Sequence, residues 1–180
     1  MKIICLVGMP GTGKGEVGKI LEQEKIPIVV MSSVVREEVK KRNLALNIKN
    51  LDNVAVDLRK KFGKDVVAKR VAEKVKKIKS DLVCVDGVPN IEEIYLLKNA
   101  GDVVIVSVNA PEKTRFERLT KRGESRDPKN FEEFKWREQK QINFGIGKVI
   151  ESADYEIVNN GSVENLRKKV MKILAYIGHV

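Results

Sequence analysis

Two hydrophobic regimes alternate along the chain. Short apolar runs of strand length occur over residues 2–7, 26–31, 81–86, 102–108 and 154–158, the fourth almost wholly β-branched. Between them, apolar residues recur every three or four positions among charges, the pattern of amphipathic helices over 14–24, 34–41, 90–99, 130–143 and 163–177. Residues 51–79 read as two charged helices interrupted near Gly63, and a short helix is predicted to end near Ser152. Ser32 or Ser33 is the predicted cap of the second helix, and Pro111 the first-turn residue of the helix that carries Arg115, Arg118 and Arg122. Strands alternating with helices imply an α/β domain with one parallel sheet, right-handed crossovers and helices on both faces. A ligand site then lies at the carboxyl ends of the strands.

The turn after the first strand carries the chemistry. Gly8-Met9-Pro10-Gly11-Thr12-Gly13-Lys14-Gly15 joins an apolar strand to a helical pattern, the context in which a G-x-x-x-x-G-K string is a phosphate-binding P-loop. Glycines let successive N–H groups turn inward on one anion, the following helix adds its positive end, and Lys14 brings a mobile charge to the outer phosphates. The motif asks for Ser or Thr after the lysine, and Gly15 stands there, followed by Glu16. A hydroxyl that would hold Mg²⁺ directly is therefore absent, and the metal must be held through water, phosphate or another side chain. Asp86 ends the third apolar run; if that strand neighbours the first, its carboxylate stands beside the P-loop and orients water on Mg²⁺. As an alternative, Asp86 simply opens the Asp86-Gly87 turn.

Length, charge and cysteine usage narrow the picture. A chain of 180 residues suits a single domain spanning 1–180. No run reaches the roughly 18 apolar residues of a membrane helix, and Met1-Lys2 leads straight into the first strand, so a cytoplasmic protein without membrane partners is expected. Cys5 and Cys84 lie inside apolar runs as reduced structural thiols; with the lone His179 they are too few for a metal cluster. The net charge of +10 would suit nucleic acid. However, the basic residues over 36–42, 69–79 and 167–172 are strewn among glutamates or along amphipathic helices, and no zinc-finger or aromatic RNA-binding signature accompanies them. A solvated face is the simpler account of those residues. The same account is open for the arginine set, more readily for Arg115 and Arg118 than for Arg126 and Arg137.

The order of these landmarks resembles the nucleoside monophosphate kinases, adenylate kinase above all, and the resemblance runs along nearly the full chain. The stretch Gly8 to Gly15 resembles that enzyme's P-loop, which also has glycine after the lysine. Ser32-Ser33-Val34-Val35-Arg36 resembles the stretch whose arginine grips the acceptor phosphate. Asp86-Gly87-Val88-Pro89-Asn90 is similar to Asp-Gly-aromatic-Pro-Arg, and Arg122, Arg126-Asp127 and Arg137 resemble the lid arginines. Residues 153–164 are more similar to dephospho-coenzyme A kinase, whose loop after the last strand borders the adenine, which implies that role for Asn160 and Gly161. As a whole, the chain is identified as a member of a family of small, chiefly archaeal P-loop proteins described as adenylate-kinase-related. The resemblance implies the P-loop nucleoside triphosphate hydrolase fold, a five-stranded sheet in the order 2-3-1-4-5, an acceptor-binding helical insert at about 32–79 and a small lid at about 115–137.

It also implies ATP and Mg²⁺ as ligands, bound by residues 8–16. Lys14, Asp86, Arg122, Arg126 and Arg137 would be catalytic, and Ser33, Arg36, Gly87 and Asn90 would bind the acceptor. Departures fall on the acceptor side: Ser33 replaces an aspartate, Asn90 an arginine, and Met31 and Ile94 a polar pair near the acceptor base. The expected activity is transfer of the ATP γ-phosphate to a nucleoside monophosphate or similar small phosphorylated acceptor. The alternatives are an AMP- or ATP-binding regulatory module with little turnover, and a hydroxyl-directed kinase of dephospho-coenzyme A type. For the last, Met31-Ser32-Ser33 offers no carboxylate base after the second strand.

Overall fold

The computed structural model describes residues 1–63, 65–124 and 127–179. Five parallel strands, β1 (Lys2–Val7), β2 (Ile28–Val30), β3 (Leu82–Asp86), β4 (Asp102–Asn109) and β5 (Tyr155–Val158), form one sheet in the order β2-β3-β1-β4-β5. Helix α1 (Lys14–Gln23) follows β1; α2 (Ser33–Lys41), α3 (Ile48–Phe62) and α4 (Val66–Lys76) lie between β2 and β3; α5 (Ile91–Leu97) precedes β4. Helices α6 (Glu112–Arg122), α7 (Phe131–Asn143) and α8 (Ile146–Glu151) lie between β4 and β5, and α9 (Val163–Tyr176) closes the chain.

The central strands are largely apolar and buried because both faces of the sheet are covered. In β1, Ile3, Cys5 and Val7 face a core with Val39 of α2, Leu58 of α3, Val71 of α4 and Leu97 of α5; Ile4 and Leu6 face the opposite core with Leu21 of α1 and Leu174 of α9. No described helix is long and apolar enough to cross a membrane.

Three local expectations shift. β2 is shorter than residues 26–31, because Pro27 has no N–H to give to a ladder; its carbonyl still accepts from Cys84 N at 2.8 Å, and Met31 N donates to Asp86 O at 3.0 Å. Ser32 occupies the cap position of α2 but in helical backbone geometry, and its side chain makes no capping hydrogen bond. Pro111 stands one residue earlier than expected, as the cap before Glu112. The break between α3 and α4 falls at Gly63, whose φ of 97° ends the first of them.

Candidate functional site

The P-loop is held from beneath and from the side. Gly8 has φ +147, and a Cβ there would lie 2.3 Å from the Val108 carbonyl oxygen of β4; Gly13 has φ +97, and its Cβ would lie 2.2 Å from Asn159 Nδ2. Glycine is required at both positions by conformation and by contact. Thr12 is buried, its hydroxyl donating to Met9 O at 2.9 Å, and the Asn159 amide donates to Thr12 O at 2.8 Å. Gly13 then opens α1 in left-handed geometry, leaving the helix's positive end toward the loop. A side chain at Gly15 would meet nothing within 4 Å, while Glu16 pairs with Lys19 on the surface.

Lys14 reaches back over this loop, donating to Gly8 O at 2.6 Å and Met9 O at 3.2 Å. Burial lowers its pKa; Asp86 opposes that shift, and the Arg115 and Arg122 charges add to it. Several cations therefore converge on one loop. Strand order brings Asp86 here, since β3 neighbours β1 and Leu6 stands in register with Asp86. Burial raises the Asp86 carboxyl above its ordinary range, with Lys14 pulling the other way, and Oδ1 is buried with no hydrogen-bond partner among the described residues. Its backbone carbonyl accepts from Met31, and Gly87, with φ +83, turns the chain away. A cavity of about 130 Å³ opens beside these groups, lined by Gly8, Pro10, Lys14, Gly87, Val88, Pro89, Gln141 and Ile146.

The remaining expected residues separate into groups. Arg122 makes a two-pronged ion pair with Asp127, whose carboxyl that contact holds below the ordinary range, with a smaller contribution from Arg137 on α7. Arg126 lies outside the described residues. Ser33 accepts a hydrogen bond from Lys74 at 3.4 Å, and Arg36 is half-buried on α2 with no ion pair among the described residues. Asn90 caps α5: its Oδ1 accepts from Glu93 N at 2.9 Å, so that oxygen is already committed. Asn160 and Gly161 are exposed, and it is the preceding residue, Asn159, that touches the P-loop.

A solvated helix face does not describe Arg115 and Arg118. Arg115 is 8% exposed and donates to Ala110 O and Pro10 O, while pairing with buried Glu138. Arg118 donates to Gly11 O, Thr12 O and Asn159 O at 3.1–3.4 Å. The sequence carried a partial sign of this, since Arg115, Arg118 and Arg122 share one face of α6 at helical spacing. Nothing in it marked Glu138 or Asn159.

A glycine cradle at the end of the first strand of a 2-3-1-4-5 parallel sheet defines a P-loop protein of kinase-like fold. The family model described as "AAA domain" matches residues 7–135. The chain is 40% identical over 180 residues to a UPF0200 protein of Thermococcus onnurineus (strain NA1), covering 97% of each, and it belongs to this UPF0200 family of P-loop proteins. Two solved structures share its fold. One is TT1252 from Thermus thermophilus, with a TM-score of 0.67, 21% identity and 97% of each chain covered. The other is shikimate kinase from Bacteroides thetaiotaomicron, with a TM-score of 0.62, 14% identity and 97% of each chain covered.

Proposed function

We propose that the protein is an ATP- and Mg²⁺-dependent phosphotransferase acting on a nucleoside monophosphate or a similar small phosphorylated acceptor. The observation that carries this reading is the buried Asp86 Oδ1, without a hydrogen-bond partner among the described residues, beside Lys14 and the P-loop. A carboxylate oxygen without a donor, in a site crowded with cations, suits a water ligand of Mg²⁺, and the open space at Gly15 fits a metal held without a P-loop hydroxyl. Mg²⁺ would neutralise charge on the outer phosphates.

Lys14 would exchange its loop carbonyls for those phosphates. Arg122 and Arg137, both drawn to Asp127, would join Arg126 as a lid over the transferring group, and residues 32–79 with Arg36 would form the acceptor side. A phosphate acceptor is already anionic and needs no base, so alignment and charge neutralisation suffice. A hydroxyl acceptor fits less well, because Met31 is buried and Ser33 is bonded to Lys74 where a carboxylate base would be wanted. One observation favours a second reading, a nucleotide-binding regulatory module: Asn90 stands where the resemblance places an arginine, and its donor group Nδ2 faces Glu93 Oε1 at 3.5 Å, so Asn90 gives the acceptor side no second strong anion-gripping group.

A coupled assay with Mg-ATP against nucleoside monophosphates and dephospho-coenzyme A, paired with calorimetry, tests the proposal. Turnover with one acceptor is expected, and Lys14→Ala should abolish it and remove most ATP affinity. Tight nucleotide binding without transfer would leave only the regulatory module. Unchanged ATP affinity in Lys14→Ala would refute the P-loop reading itself.

A further inference from the structure

We propose that Arg115 and Glu138 are a positioning pair that sets helix α7 against the P-loop; as a role in turnover this rests on the phosphotransfer reading. Both residues are buried, at 8% and 6% exposure, and their side chains join α6 to α7 across 23 residues of sequence. The guanidinium reaches three places at once: Nε donates to Ala110 O at 3.1 Å, Nη1 to Pro10 O at 3.5 Å, and Nη1 also pairs with Glu138 Oε1. Gly11 rests on the same residue, since a Cβ there would lie 2.6 Å from the Arg115 carbonyl oxygen. The Phe134 ring lies 5.4 Å from the guanidinium carbon, and Lys135 stands 3.6 Å from Glu138 Oε2.

Stability alone does not account for such a pair. Desolvating two charges offsets much of their attraction, and apolar residues of similar volume commonly hold a core as well. What apolar contacts do not supply is direction. A rigid planar fork fixes both the distance and the angle between the elements it joins. The elements joined here are the P-loop, through Pro10, and the helix that carries Arg137 and Gln141. Gln141 is one helical turn beyond Glu138, and it lines the same cavity as Pro10 and Lys14. The pair thus holds one wall of the cavity in register with the phosphate cradle, without touching the cavity itself.

The test uses the full chain with Arg115→Met and Glu138→Leu combined, so that neither charge is left buried alone, and with Glu138→Gln as a conservative single variant. Hydrogen exchange of the free protein is measured first. The double variant should fold and melt close to the parent, yet exchange faster over residues 8–16 and 131–143. Steady-state kinetics should show kcat lowered by about 10- to 100-fold with little change in KM for ATP, and Glu138→Gln should fall between parent and double variant. Parental exchange in both segments, or a parental kcat in the folded double variant, would overturn the proposal. Should the double variant fail to fold, Glu138→Gln decides on the same readouts. A parent without turnover on any acceptor would count against the phosphotransfer reading alone, since the exchange measurement needs no substrate.

Discussion

Replacing Gly13 with alanine would force a side chain into left-handed backbone 2.2 Å from Asn159 Nδ2. Strain of that kind costs about 1–3 kcal/mol. Thermal melts of Gly13→Ala should show that loss, and the cost should be smaller when Asn159→Gly is also present, because the two residues share one contact. Additive costs would mean that backbone conformation alone demands the glycine. Glu93 offers a test of the opposite sign. It is buried on α5 with Oε2 unpartnered among the described residues, and its carboxyl is raised chiefly by burial, against the pull of Arg59 and the Asn90 amide. The unfolded chain therefore gives up this proton first as pH rises, so the contribution of Glu93 is fully favourable below the ordinary carboxylate range and is lost above it. Glu93→Gln should melt higher than the parent at pH 7, by roughly 2–4 °C for each kcal/mol regained, with the gap closing below about pH 4. A lower melting temperature at pH 7 would mean that attraction to Arg59 outweighs the burial. At this scale the sequence revealed residues whose chemistry is local. Lys14 and the P-loop glycines form one short string, whereas Asn159 and Glu138 act through contacts with residues 147 and 23 positions away, which no spacing rule reveals.

Helix α7 depends on how it begins. Asn130 accepts from Glu133 N at 2.8 Å, and the following turn packs Phe131 and Phe134 against Phe116 of α6 with ring centroids 5.4 and 5.5 Å apart. Asn130→Ala should cost about 1 kcal/mol, read as a lower urea midpoint with an unchanged m-value. An unaltered midpoint would show that the aromatic cluster alone fixes the start of the helix. Caps of this type also stand at Asn47, Asn90 and Ser162, each accepting from the backbone N–H three residues on, although the cap expected from the sequence was only at Ser32 or Ser33. Ser32 does not act as one, because its backbone is already helical and its side chain makes no capping hydrogen bond. The extent of β2 was likewise misjudged from hydrophobicity, since Ile26 and Met31 are buried without being ladder residues of the strand. Burial and pairing are separate demands, and an apolar run reports only the first.

For the molecule as a whole, the parallel sheet explains why its two cysteines should be silent. Cys5 and Cys84 sit on adjacent central strands; burial pushes the Cys5 thiol up to about 12 and the Cys84 thiol well above its ordinary value. A thiol-reactive disulfide reagent should find neither in the native protein and both after denaturation. Reaction in the native state would reveal opening of the sheet centre. Architecture was the most legible level: alternating strand and helix periods imply a parallel sheet with right-handed crossovers, while the strand order is what the family resemblance implies. Charge was the least legible: the excess of basic residues separated in the structure into surface pairs, such as Lys69 with Asp65, and a few cations turned onto the P-loop. The loop itself is completed by distant parts of the chain: Val108 beneath Gly8, Arg118 along Thr12, and Asn159 across Gly13. The ion pair between Arg167 and Glu24, and the bond from Lys2 to Ile177 O, tie α9 and the residue after it to the early part of the chain. The glycine motif is one short string, yet its walls come from three separate parts of the chain. A chain without Asn159 would keep Val108 and Arg118 against the phosphate-binding string but lose the wall across Gly13, so the grip on an anion should depend on a residue 147 positions from Thr12.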